Sequence, residues 1–190
     1  MSALLNAKTA KVLGITCMCL GLVTACRTTQ QGFTTEREVD PSETHIVMPK
    51  ELANLKGFRI EKAVIREAAS YRSEKITFTG GFITYDRYFR GGFLGTSKSN
   101  FKNKLTREIA DISNLQNIET QNTSLGLTYY TTFKHKEATC FVMQSDYGNT
   151  LNFRSGTGSE GRVYGLYCEN TPSAGFKDAV LGWMNKVKLR

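Results

Sequence analysis

The fold class this sequence predicts is α+β: an antiparallel sheet of about five to six strands, one face packed by two helices, in a single domain over 49–190. Three observations point there. Apolar and polar residues alternate between 74 and 90. Alternating segments return between 124 and 169. Two stretches in between and after carry apolar residues at helical steps.

The elements follow in order. Pro49 opens "PKELANLKG", and Gly57 suits the end of a short helix. Residues 58–72 fit two periods. Phe58, Ile60 and Val64 share a strand face, whereas Ile60, Val64 and Ala68 share a helix face. A strand through about Ile65 is the preferred reading, and the remainder stays open. Ile76 and Phe78 alternate with Thr77 and Thr79. Ile83, Tyr85, Arg87 and Phe89 alternate with Thr84, Asp86, Tyr88 and Arg90. β-Branched and aromatic residues dominate both segments, as half-buried strands prefer. Gly80-Gly81 between them is a turn or a bulge.

Gly91–Ser99 reads as a loop. Phe101, Leu105, Ile109 and Ile112 step by 4, 4 and 3, which predicts a helix at about 100–115 capped by Ser99 or Asn100. Residues 124–135, 137–146 and 162–169 read as strands, the last two separated by a polar, glycine-rich loop. Thr171-Pro172 opens the final helix, with Thr as cap and Pro at the first position. Its stripe is Phe176, Val180, Trp183 and Val187. Lys186, Lys188 and Arg190 suit its negative end.

The chain has 190 residues, a formal net charge of +8 and a sequence pI near 9.3. In the cytosol that charge would suggest nucleic acid first. The N-terminus points elsewhere. "MSALLNAKTAK" carries two lysines and no acid, and "VLGITCMCLGLVTA" is a 14-residue apolar run. A spanning helix needs about 20 apolar residues. A basic start, a short apolar core and small residues at its end are the parts of an export signal, expected over 1–25.

The end of that signal, Val23-Thr24-Ala25-Cys26, resembles the bacterial lipobox position by position. The resemblance implies cleavage before Cys26, thioether attachment of diacylglycerol to its sulfur and N-acylation. Ordinary secretory cleavage also suits Val23-Thr24-Ala25, but would leave Cys26 as an odd exposed thiol. Of five cysteines, Cys17 and Cys19 leave with the signal, Cys26 takes the lipid, and Cys140 and Cys168 remain as an even pair. Two or three acyl chains hold a protein firmly, at about 0.8 kcal/mol per buried CH₂. The residue after the lipidated cysteine is Arg27 rather than the Asp of inner-membrane retention. By resemblance that implies the outer membrane, facing the periplasm. Residues 26–48, poor in apolar groups, read as a flexible tether. Loss of Lys8 and Lys11 lowers the balance to +6, and nucleic acid gives way to envelope partners: a protein, or an anionic wall or lipopolysaccharide polymer.

Few motifs suggest chemistry. Cys140 and Cys168 lie on consecutive strands, where facing residues can be bridged, so a structural disulfide is expected. Gly156-Thr-Gly158-Ser-Glu-Gly161 fits G-x-G-x-x-G, but a strand follows where a nucleotide site needs a helix. His45 sits in the expected tether and His135 between Lys134 and Lys136. Neither has metal-ligand spacing, so no metal and no cofactor are expected. "TYDRYFRGGF" interleaves Tyr85 and Tyr88 with Arg87 and Arg90, the expected binding patch if there is one. Asp86, Glu108, Asp146 and Glu160 are scattered carboxylates. The sequence therefore reads as a lipid-anchored envelope protein with a structural, assembly or binding role and no catalytic site. The alternative is a small envelope hydrolase acting on wall or polysaccharide through a carboxylate pair.

Overall fold

A computed structural model describes residues 35–50, 58–89, 93–148, 158–172 and 174–190. The signal sequence, Cys26, Arg27, Arg90 and most of the helix expected over 49–57 lie outside the described residues. Residues 33–190 belong to one unit.

Among the described residues, nine strands form one antiparallel sheet. Its middle is β3 (Ile60–Ala68), β4 (Tyr71–Phe78), β5 (Gly81–Tyr88), β12 (Gly161–Glu169), β10 (Ala138–Tyr147) and β9 (Gly126–His135), side by side in that order. These are the six expected strands. The ambiguous segment after 58 becomes β3 and the start of β4, joined at Ala69-Ser70. Of the remaining three, β1 and β8 are mostly polar, and β7 holds Ile112, which the helical spacing had claimed. β1 (Thr35–Val39) borders β3. β7 (Ile112–Ser113) and β8 (Glu119–Thr123) share the outer edge of β9. Two-stranded ribbons join β2 (Ile46–Val47) to β13 (Lys188–Leu189) and β6 (Phe93–Leu94) to β11 (Gly158–Ser159).

The tether expected over 26–48 is corrected for its second half. Residues 35–39 pair along β3, and a 3₁₀ turn at Pro41–Glu43 is closed by a capping box from Asp40. Ile46 is buried, and His45 binds a buried carboxylate. Polar composition concealed this segment, because ladder bonds and ion pairs rather than apolar burial hold it.

The helices correct the expectation in placement. α1 (Lys98–Glu108) and α2 (Phe176–Met184) pack on opposite faces of the sheet, not on one. Phe101 and Leu105 of α1 pack with Phe133, Cys140, Val142 and Tyr164. Phe176, Val180, Trp183 and Met184 of α2 pack with Phe78, Ile83, Phe141 and Val163. Neighbouring strand residues point to opposite faces, so Tyr164 serves one core and Val163 the other. The central strands are apolar on both faces, and each face needs a cover.

α1 starts earlier and ends sooner than its stripe suggested. The Ser97 side chain accepts from the Asn100 N–H, and Ile109 is already extended. Asp111 (φ 58°) and Asn114 (φ 48°) turn the chain in left-handed conformations, so Ile112 enters β7 instead of a fourth helical turn. α2 starts at Phe176, after Gly175 (φ 82°), and not at Thr171-Pro172. Between β4 and β5 the chain turns at Thr79-Gly80. Gly81 opens β5, where a Cβ would overlap the Leu166 carbonyl of β12. Among the described residues no helix is long and apolar enough to cross a membrane.

Candidate functional site

Cys140 and Cys168 face each other across β10 and β12, with Cα atoms 4.0 Å apart and sulfurs 2.08 Å apart. The Cys168 N–H donates to the Gly80 carbonyl, on the β5 side. The pair is thus a non-hydrogen-bonded one with respect to β10, the close type a disulfide can bridge. It lies in the α1 core and joins strands already in register.

The Tyr85, Arg87, Tyr88, Arg90 patch is not one surface. Strand alternation separates its members. Tyr85 is buried in the α2 core, its ring 6.0 Å from that of His45. Arg87 is on the same face and reaches Glu160 at 3.5 Å. Tyr88 is on the opposite face, its ring 4.9 Å from that of Tyr71. Arg90 lies outside the described residues.

The scattered carboxylates are each engaged. Asp86, Arg162 and Asp146 form a cross-strand row on the α1 face. Asp146 accepts from Arg162 Nε at 2.8 Å and from the Thr96 N–H at 2.6 Å. Asp86 accepts from the Ser73 hydroxyl at 2.6 Å. Burial foremost, and then its bond to Asp86, raises the Tyr71 phenol above its usual range. Arg162 stands between the two carboxylates in the register and is ion-paired to Asp146. Glu108 pairs loosely with its neighbour Arg107 at 3.6 Å.

Nothing in the sequence marked Glu74. Its carboxylate is 0% exposed. It accepts from the His45 N–H at 2.6 Å and from Arg72 Nε at 2.7 Å, and His45 Nδ1 lies 2.6 Å away. Arg72 also reaches Glu67 at 2.8 Å. A buried charge survives only with such partners. Arg190 N–H donates to the His45 carbonyl, so this cluster fastens the start and the end of the domain together. Its part is architectural.

A cleft of about 780 Å³ opens between α1 and residues 115–120. Lys98, Ser99 and Lys102 line one wall, and Gln116, Asn117 and Thr120 the other. Leu115 and Ile118, half-buried against the α1 core, make the floor. Lys98 and Lys102 stand one helical turn apart, and neither has an ion-pair partner among the described residues. Glu119 is the one carboxylate of the described lining; Tyr130 and Lys177 engage it, and the charge of Lys98 also acts on it. It sits opposite Tyr130, a member of the α2 core, accepting from its hydroxyl at 3.0 Å and from Lys177 of α2 at 2.5 Å. The bond from Lys177, and then that from Tyr130, holds the Glu119 carboxyl below the usual range. Thr120 sits opposite Tyr129, which packs under α1, so β8 presents Thr120 to the cleft side and Glu119 to the other. The cleft is cationic, rich in hydrogen-bonding groups and open. Deeper under α1, Lys104 donates to Gln144 at 3.1 Å and lies 4.4 Å above the Tyr164 ring. Burial lowers its amine below the usual range.

The sequence signal for this cleft was present as composition: seven of the sixteen Asn and Gln residues fall between 100 and 122. Among the described residues no group of three or more His, Cys, Asp or Glu is placed to hold a metal ion. No family model, no curated protein and no solved structure matches this chain.

Proposed function

We propose that this is a lipid-anchored envelope protein whose domain holds a partner at the outer membrane, in a structural, assembly or binding role, rather than an enzyme. The cleft beside α1 carries the reading. Its described lining offers cations, carboxamides and hydroxyls that suit retention of a ligand, and among the described lining residues there is no nucleophile–base pair and no second carboxylate beside Glu119. Its volume falls in the range of ordinary ligand sites. The lipobox supplies the address and the remaining positive charge suits an acidic partner.

A photo-activatable residue placed at Asn117 in intact cells tests this. The expected result is a recurrent cross-linked envelope component, absent when the same residue replaces Thr79, which is exposed at a distant turn. If cleft positions trap nothing and the purified protein turns over peptidoglycan or acyl esters, the hydrolase reading replaces this one.

A further inference from the structure

The geometry points to the cleft between α1 and residues 115–120 as a binding site for an acidic glycan, a sugar chain bearing carboxylate or phosphate groups; this rests on the binding role proposed above. The first observation is charge. Lys98 and Lys102 line the cleft without ion-pair partners among the described residues, and the one carboxylate of the described lining, Glu119, is bonded by Lys177 and Tyr130, with only a longer-range pull from Lys98. Ammonium groups one turn apart on a rigid helix meet anions repeated along a polymer.

The second observation is the kind of polar group. A sugar hydroxyl both donates and accepts, and a carboxamide or hydroxyl does the same. Ser99, Gln116, Asn117 and Thr120 supply four such side chains in one cleft. The Gln116 amide nitrogen is committed to Asn114 at 2.8 Å, which fixes the side chain. The third observation is the floor. Leu115 and Ile118 offer a small aliphatic surface against which the C–H face of a sugar can rest, and no aromatic side chain is among the described lining residues. Tight peptide recognition relies on buried aromatic or arginine anchors, and this described lining has neither.

Full-length protein in detergent, titrated by fluorescence anisotropy, provides the test. The acidic probes are oligogalacturonate and phosphomannan, which separate carboxylate from phosphate. Dextran is the neutral probe and poly-glutamate the acidic peptide. The expected result is binding of at least one acidic glycan, no binding of dextran, and an affinity that falls with salt. The double variant Lys98→Gln/Lys102→Gln should bind that glycan about tenfold or more weakly, in line with the loss of two charge-assisted contacts. Asn117→Ala should weaken it by a few fold, and the remote Lys188→Gln should leave it unchanged. All are surface substitutions, and an unchanged near-UV spectrum confirms the fold. Unchanged affinity in the double variant overturns the site. Poly-glutamate bound as tightly as the glycans overturns the ligand class in favour of an acidic peptide. If cells give adducts at Asn117 but no acidic glycan binds, the glycan inference falls while the binding role stands. If adducts also fail and substrates turn over, the binding role falls with it.

Discussion

Glu74 carries a large single-residue consequence, because its carboxylate is fully buried. Its buried carboxylate holds His45 and Arg72 at once, so Glu74→Ala removes the partner of the His45 imidazole and N–H and leaves Arg72 with Glu67 alone among the described residues. Breaking a buried pair in this way costs about 3–5 kcal/mol. Urea denaturation should show a loss of that size, and a loss below about 1 kcal/mol would mean that water replaces the carboxylate cheaply. Glu119 behaves differently because it is near the surface. Its carboxyl is held below the usual carboxylate range by Lys177 and then Tyr130. A depressed carboxylate contributes stability above its unfolded pKa and loses it as pH falls through the folded one. The difference in melting temperature between the wild type and Glu119→Gln should therefore be present at pH 7 and shrink below about pH 4.5. A difference independent of pH would show that charge is not its source.

At the level of elements, the central claim is that α1 and α2 guard separate cores. Phe101→Ala and Trp183→Ala should each cost about 3–5 kcal/mol. Because their cores lie on opposite faces of the sheet, the double variant should be additive within about 0.5 kcal/mol. Strong coupling would place both helices on one core. The capping role of Ser97 is smaller, and Ser97→Ala should cost about 1 kcal/mol in the same assay.

This is also where the sequence was most and least legible. Alternation found β3, β4, β5, β9, β10 and β12, because each buries apolar residues on at least one face. It missed β1 and β8, whose exposed side chains are charged or amide-bearing and whose order comes from the ladder. Periodicity located both helical stripes but could not assign a face, since that depends on strand order. It also ran α1 through Ile109 and Ile112, which are apolar for the same core but extended. The Tyr85–Arg90 patch failed for the reason that the strand itself succeeded: a period of two separates neighbours. The cleft was invisible as a motif because its two walls are α1 and a loop brought beside it by β7 and β8.

For the whole molecule, the Cys140–Cys168 bridge closes a loop of 28 residues in sequence separation within one sheet. In the chain-entropy model such a closure stabilises by about 3–4 kcal/mol. Reduction should lower the urea midpoint accordingly without abolishing the fold, because both strands stay paired to other neighbours. Complete unfolding on reduction would assign the bridge a larger role than the sheet.

The sheet, its two cores and the bridge form the unit that carries the cleft, and the resemblance of Val23–Cys26 to a lipobox is the basis on which we propose that this unit is held at the envelope. The account depends most directly on the anchor at Cys26. Cells fed labelled palmitate should yield labelled wild-type protein in the outer-membrane fraction, and the Cys26→Ala variant should carry no label and leave that fraction. An unlabelled wild type, or a variant that keeps both label and location, would contradict the account.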